Sequence, residues 1–385
     1  MKILYHHRIA SKDGQYVHVE EIIHSLKKQG HKIFLVAPAV AENSDFGSDG
    51  GWVDLLKAKL PGSVYEIMEF SYSFWALIKL LFSIYRDKPD FIYERFNLFL
   101  PAGIWASKIS GVPMLLEVNA PLYQERKKHN GISINWLAVW SQRYCWRNAD
   151  KVLPVTNVLA NFLREEAVVE QRIDVIANGI NVDDFYNKDS SLDLDVDLSG
   201  KLVIGFVGFC RDWHGLDRVL NVMSALKRED LLFLVIGDGP AVETLSIQAE
   251  KLGLGKQFHV TGIVSRRDMP RWLECIEIAL QPDVVSYASP LKMIEYLAKG
   301  KAIIAPNSPN IRELLVDNKN AILFEPSDPQ SFSQSLLKLC SDETLRTNLG
   351  KQAFKTIGEL QLTWDNNAKR IAEHGTSLMK AGGVH

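Results

Sequence analysis

Lys292 and Glu295 lie three residues apart in Ser289-Pro290-Leu291-Lys292-Met293-Ile294-Glu295-Tyr296-Leu297-Ala298-Lys299-Gly300. That spacing puts a cation and a carboxylate on one face of a helix. Pro290 suits the first helical position, where its missing N–H matters little, and Ser289 suits the N-cap. The first-turn N–H groups are then open to an anion, which the helix dipole also favours. Two readings of the pair stay open. One is a solvated ion pair, worth under about 1 kcal/mol. In the other, Glu295 accepts hydrogen bonds from two ribose hydroxyls while Lys292 meets phosphate.

Three glycine turns offer related chemistry, each also readable as a plain turn. In Val207-Gly208-Phe209-Cys210-Arg211-Asp212-Trp213-His214-Gly215, two glycines bracket a guanidinium and an imidazole, and Arg211 is able to pair with a diphosphate in bidentate fashion. Ile236-Gly237-Asp238-Gly239-Pro240 is a turn signature whatever it binds. Ser11 to His18, with Gly14, joins a first strand to a first helix and lets backbone approach an anion. Neither Gly-x-Gly-x-x-Gly nor a Walker loop occurs. The triplets of Asp193, Asp195 and Asp197 are read as an acidic surface loop or, alternatively, as metal ligands. They sit in a polar connection rather than after a buried strand, which favours the loop.

These turns need strands ahead of them and helices behind. Apolar runs supply the strands: Met1–His6, Lys32–Ala37, Phe91–Tyr93, Met114–Val118, Lys151–Val155 and Asp174–Ile176. The polar stretch Asn187–Lys201 intervenes, and then Leu202–Val207, Leu231–Ile236, Phe258–Val260, Ile278–Leu280, Ala302–Ala305 and Ala321–Phe324 follow. Helical stretches separate most of them, and helices close the chain from Pro329 to about Lys380. Such alternation predicts α/β architecture: two doubly wound parallel sheets in tandem, with ligands at the carboxyl ends of the strands.

Composition bounds the partners. The chain has 385 residues, 46% of them hydrophobic, and 44 basic against 46 acidic side chains give a net charge of −2. That balance argues against nucleic acid as a partner and against disorder. Cys145, Cys210, Cys275 and Cys340 form no Cys-x-x-Cys pair, so reduced thiols are expected rather than a zinc site or disulfide scaffold. Met1–Arg8 is too polar for a secretion signal. The longest apolar run, Tyr72–Tyr85, is interrupted by Lys79, so no membrane span is expected. That run, and Ile134–Trp146 with Trp136, Trp140 and Trp146, are read either as sheet-facing core helices or as a membrane-surface contact.

Taken in order, these residues resemble a family 4 retaining glycosyltransferase with the GT-B fold. The resemblance runs through the opening glycine loop with His18, Lys27–Ile33, Val175-Ile176-Ala177-Asn178-Gly179-Ile180-Asn181, Gly237–Pro240, the loop at Gly262, Ser289–Lys301, Ile311–Leu314 and Ala321–Phe324. It implies an N-terminal Rossmann-like domain over 1–180, to which a C-terminal helix at 364–385 returns, a donor domain over 181–363, and a cleft between them. Glu295 is then expected to hold the ribose, and Ser289, Pro290, Leu291 and Lys292 the diphosphate or donor sugar. Gly262 to Val264 would hold the base, while Gly14, Gly208 and Gly237 approach the donor by backbone.

The chain also departs from the family. Tyr287 stands where a second glutamate is usual, and Phe209 and His214 stand where the family has a basic pair, so Arg211 and His214 are taken as substitutes. At the end of a first-domain strand, Glu117 and Asn119 replace an expected histidine and become acceptor- or sugar-facing candidates. Glu117, Asn119, Arg211 and Lys292 are the candidate catalytic residues.

The implied reaction moves a hexose from a UDP- or GDP-sugar to a hydroxyl of a glycan, lipid-linked or small-molecule acceptor, with configuration retained. It needs no metal and no cofactor beyond the co-substrate. The implied setting is cytoplasmic, with the N-terminal domain a candidate for peripheral membrane contact. Alternatives are a sugar-nucleotide epimerase on the same fold and a silent sugar-nucleotide-binding partner subunit.

Overall fold

Parallel strands buried on both faces read as continuous apolar runs. In the computed structural model, which describes residues 1–9, 14–38, 60–186 and 196–382, those runs build two sheets in two units. The first unit comprises Met1–Asn178 and Trp364–His385, the second Gly179–Thr363.

In the first unit the order is β1 (Lys2–His6), α1 (Gly14–Lys28), β2 (Lys32–Val36), α2 (Gly62–Asp87), β3 (Phe91–Arg95), α3 (Ala102–Ser110), β4 (Met114–Val118), α4 (Leu122–Lys128), α5 (Asn135–Asn148), β5 (Lys151–Pro154) and α6 (Asn157–Glu165). All neighbours are parallel, in the order β2-β1-β3-β4-β5. The second unit continues with α7 (Val182–Tyr186), β6 (Leu202–Val207), α8 (Asp217–Leu226), β7 (Leu231–Ile236), α9 (Val242–Lys251), β8 (Phe258–Val260), α10 (Met269–Glu274), β9 (Ile278–Leu280), α11 (Leu291–Ala298), β10 (Ala302–Pro306), β11 (Ile322–Phe324), α12 (Ser331–Ser341) and α13 (Glu343–Glu359). Its sheet runs β11-β10-β9-β6-β7-β8, again parallel. Phe206, Phe233 and Phe324 are fully buried in its core, each contributing about 1.5–3 kcal/mol by removal from water.

The last helix, α14 (Trp364–Gly382), packs in the first unit against α1 and β4. Lys28 pairs with Asp365 at 2.8 Å, and Asp174 accepts from Arg370 at 2.7 Å and meets His374 at 2.6 Å.

One expected strand is absent. Asp174–Ile176 runs beside β5, with Asp174 N donating to Val152 O and Ile176 N to Pro154 O, both at 3.0 Å. Pro154 has no N–H to return a bond, so the ladder stops at a single bridge between Val152 and Ile173.

A second difference concerns α2. Its buried stripe is Glu66, Glu69, Ser73, Ala76, Leu80 and Ser83, whereas Ile67, Phe74, Trp75, Ile78, Phe82 and Tyr85 face solvent. The core-packing reading fails for that side of the helix. With an 18-residue window of mean hydropathy 1.4, α2 is also long and apolar enough to cross a membrane by length and composition. The interruption at Lys79 breaks the run without lowering the window enough to exclude it.

Candidate active site

Each of the three glycine loops of the second unit follows the carboxyl end of a strand. Gly208 follows β6, Gly237 follows β7 and Gly262 lies just past β8, with backbone joining them. Gly208 N donates to Ile236 O at 2.9 Å, Cys210 N donates to Asp238 O at 2.7 Å, and Gly237 bridges Gly262. The approach requires glycine at Gly237: its φ is +141°, and an added Cβ would lie 2.2 Å from the Gly208 carbonyl oxygen. The result is a bare backbone shelf across three adjacent strands.

Helix α11 begins one residue later than the sequence suggests. Pro290, at φ −75° and ψ 120°, is the N-cap and makes no side-chain cap hydrogen bond, and Leu291 is the first helical residue. Ser289 is buried one position before the cap. Tyr296 fixes the helix to the sheet: its hydroxyl accepts from Val207 N at 2.9 Å and donates to Leu280 O at 3.3 Å.

The Lys292 ammonium lies 4.1 Å from the Phe206 ring centroid and 3.0 Å from where a Cβ on Gly208 would sit. Among the described residues it has no ion-pair or hydrogen-bond partner, and neither has the Glu295 carboxylate. Burial lowers Lys292 to about 8, with Cys210 and Glu295 acting in the opposite sense. Burial raises Glu295 to about 7, against Arg266 and Lys292. The solvated ion pair is therefore not what forms. Two partly covered ionisable groups stand ready beside the helix end, and each titrates near neutrality.

His214 is buried beside this shelf. Its Nδ1 accepts from Arg211 N at 3.1 Å, so the ring proton sits on Nε2. Burial and the Lys292 charge lower it to about 3, and the imidazole is neutral at physiological pH. Arg211 is exposed, its guanidinium 5.1 Å over the Phe209 ring. Val264 is half-buried in the loop after Gly262.

Two supporting residues escaped the sequence reading. Arg218 donates to Gly215 O at 3.1 Å and Pro282 O at 3.3 Å, tying the loop after β6 to that after β9. Buried Asn310 donates to Val285 O at 3.2 Å and Ala288 O at 2.8 Å, shaping the approach to Ser289. A lone basic residue in an amphipathic helix and an asparagine before a short helix are weak signals at best.

In the first unit, Glu117 is the penultimate residue of β4 and is buried. It was expected to face a sugar or acceptor, but its oxygens are already taken. Oε2 meets His18 Nε2 at 2.9 Å and the Tyr93 hydroxyl at 2.6 Å, and Oε1 accepts from Arg95 at 2.8 Å and from Asn119 Nδ2. Four partners fill the capacity of a carboxylate. Burial alone would raise its pKa; His18, Arg95 and Tyr93 outweigh that and hold it well below the usual range. Asn119 is only half-buried, and its Oδ1 has no partner among the described residues.

His18 reaches further, its Nδ1 2.8 Å from Asn178 Oδ1 and its ring edge-on to Trp364 at 4.9 Å. Nearby, His6 and Glu94 pair at 2.5 Å, both buried. A signal for this cluster was present in the sequence: Glu94-Arg95 and Glu117 are charges at the carboxyl ends of otherwise apolar strands.

Gly14 opens α1, whereas Ser11–Asp13 before it, and Asp193 and Asp195, lie outside the described residues. Asp197 accepts from Ser199 N at 2.9 Å on the surface.

Residues 12–184 match the family described as Glycosyltransferase Family 4, and residues 196–356 match that described as Glycosyl transferases group 1. An uncharacterized glycosyltransferase of Methanocaldococcus jannaschii is 21% identical over 92% of this chain and 93% of that protein. The UDP-Gal:alpha-D-GlcNAc-diphosphoundecaprenol alpha-1,3-galactosyltransferase of Escherichia coli is 23% identical over 70% of this chain and 71% of that protein. HepE of Anabaena, solved in complex with UDP, superposes with a TM-score of 0.74 over 98% of this chain and 100% of that one, at 17% identity. At that identity the fold is what is shared, two parallel-sheet α/β domains of GT-B type.

Proposed function

Because the chain belongs to the family 4, group 1 glycosyltransferases, we propose that it transfers a hexose from a UDP- or GDP-sugar to an acceptor hydroxyl, with anomeric configuration retained. The observation that carries this reading is the Lys292–Glu295 arrangement at the start of α11, beside the Gly208–Gly237 shelf. In the reading, the diphosphate rests on the shelf and on the free N–H groups of Leu291 and Lys292, with the Lys292 ammonium against it. Glu295 accepts from the ribose hydroxyls, and Gly262 to Val264 receive the base. His214 donates Nε2–H to a phosphate or sugar oxygen, and Arg211 supplies an exposed outer cation. Related proteins lend support: the E. coli relative is named for a UDP-galactose donor, and HepE was solved with UDP and with UDP-glucose.

The bond between the anomeric carbon and the diphosphate oxygen breaks as the acceptor oxygen bonds to the same face. The acceptor proton passes to the departing phosphate. Charge building on that phosphate is met by Lys292 and the helix N–H groups, which are already oriented for it. Glu117, with its oxygens occupied, serves as a positioning residue that holds His18, Arg95 and Asn119. Asn119 Oδ1 is assigned to the acceptor. The reading needs no metal ion and sets the reaction on the cytoplasmic side, with a glycan or lipid-linked saccharide as acceptor.

The test is incubation of labelled UDP- and GDP-hexoses with acceptor panels, followed by NMR of the new linkage. Product with the donor's anomeric configuration is expected. An inverted product, or a free isomerised sugar nucleotide without transfer, overturns it.

A further inference from the structure

Helix α2 is built inside out for a helix on a water-soluble sheet. Such a helix normally buries its apolar stripe and offers charges to water. Here the carboxylates are inside and satisfied there. Glu66 accepts from Ser133 N at 2.7 Å and Ile134 N at 2.6 Å, and Glu69 pairs with Arg126 at 2.6 Å and Arg8 at 3.4 Å. The outer stripe is Ile67, Phe74, Trp75, Ile78, Phe82 and Tyr85, with Ile78 69% and Tyr85 85% exposed.

The apolar face does not end with the helix. Phe70 stands edge-on to Trp105 of α3 at 6.1 Å and to Trp140 of α5 at 5.9 Å, and Trp136 on α5 is 71% exposed. A surface this broad and aromatic on one side of a unit marks a contact.

The charges on this face identify the partner. Lys79 places its ammonium 4.0 Å over the Trp75 ring, and Arg86 stands 5.4 Å over Phe82. Asp87, the helix's remaining carboxylate, is taken by Arg86 at 2.7 Å. Lys108, at the end of α3, is exposed as well, its ammonium 5.1 Å from the Tyr144 ring centroid on α5. Aromatic rings that sit at headgroup depth, with basic side chains reaching outward, fit the boundary of an anionic bilayer. A second copy of the same face would set cation against cation. A spanning role does not fit either: Glu66 and Glu69, on the inner side of the helix, are held in bonds to other segments, and the helix joins β2 to β3 within one sheet.

We infer that the outer face of α2, extended by Trp136 and Trp140 of α5, docks on an anionic lipid surface with the helix lying in its plane. The docking rests on the first unit alone. That it brings a lipid-linked acceptor to the enzyme rests on the function proposed above.

The experiment is co-sedimentation of the full chain with vesicles of phosphatidylcholine alone and of phosphatidylcholine mixed with phosphatidylglycerol. Binding to the mixed vesicles, weaker binding to the neutral ones and a blue shift of tryptophan emission are expected. Lys79→Glu should weaken binding to mixed vesicles about fivefold and leave binding to neutral vesicles unchanged. The double variant Trp75→Ser with Phe82→Ser should weaken both about tenfold or more while transfer to a water-soluble acceptor persists. Should that variant misfold, Ile78→Lys, at an exposed site, replaces it. Wild-type protein left in the supernatant with both vesicle types overturns the inference. So does light scattering that shows a dimer dissolved by the Ile78→Lys change. The soluble-acceptor assay fails separately if the transferase reading is wrong.

Discussion

Oε2 of Glu117 lies 2.9 Å from Nε2 of His18, with both side chains shut away from water. Through that contact β4 is joined to α1, and through His18 to Asn178, the last residue of the first unit before the chain leaves it. Glu117→Ala would strand the buried Arg95 guanidinium, a loss of about 3–5 kcal/mol by analogy with broken buried pairs. The melting temperature should fall sharply. Glu117→Gln should lose less and retain part of the transfer activity.

The same carboxylate sets an acid limit. Its pKa in the folded chain lies below the unfolded value, so its contribution is present above the ordinary carboxylate range and is lost as pH falls through the depressed folded value. Wild-type stability should therefore decline below about pH 4.5 more steeply than that of Glu117→Gln. Chemical denaturation at a series of pH values measures this, and parallel curves for the two proteins would contradict it.

Glu295 has the opposite sign. Its folded pKa of about 7 exceeds the unfolded value, so the stability it contributes is complete below the unfolded pKa and is lost as pH rises through 7. Glu295→Gln should thus be more stable than wild type at pH 8 by about 1–3 kcal/mol, and show no gain near pH 4. Thermal melts at the two pH values decide it.

Lys292 and Glu295 together shape the rate profile. Glu295 must ionise to accept strongly from ribose, near pH 7, and Lys292 must keep its proton to meet phosphate, up to about pH 8. A bell-shaped kcat/KM with limbs near those values is expected for the free enzyme. Lys292→Met should lower kcat by about two to three orders of magnitude and abolish the alkaline limb. Lys292→Arg should move that limb upward.

The glycine shelf makes a geometric prediction. Gly237→Ala puts a methyl 2.2 Å from Gly208 O at φ +141°, and should destabilise the second unit by more than about 1–3 kcal/mol and impair nucleotide binding. Gly200→Ala, at φ +68° with nothing within 4 Å, should cost only about 1 kcal/mol and leave binding intact.

The alternation of strands could be read from composition because parallel strands such as Leu202–Val207 and Leu231–Ile236 are apolar throughout and need no partner to be recognised. Lys292 and Glu295 were found for a similar reason, since three residues on a helix fix a shared face. What could not be read are contacts between distant segments. The face that α2 turns inward depends on Arg126 and on the amides of Ser133 and Ile134, which come after it in the chain and hold its carboxylates inside. Periodicity gives the stripe but not its direction. Likewise Glu117 looked available because His18, Tyr93 and Arg95 lie 99, 24 and 22 residues away. The start of α11 shifted by one residue because Ser289 is drawn into the interior, leaving Pro290 extended at the cap.

The most direct measurement is calorimetric titration of UDP- and GDP-sugars in the presence of a chelator. Wild-type protein should bind one of them without added metal, Cys275→Ser should match it, and Glu295→Ala should bind about ten- to a hundredfold more weakly, having lost two hydrogen bonds to a charged acceptor. Equal affinity for wild type and Glu295→Ala, or binding that returns only when manganese is added, would contradict a donor site built on α11 and the glycine shelf.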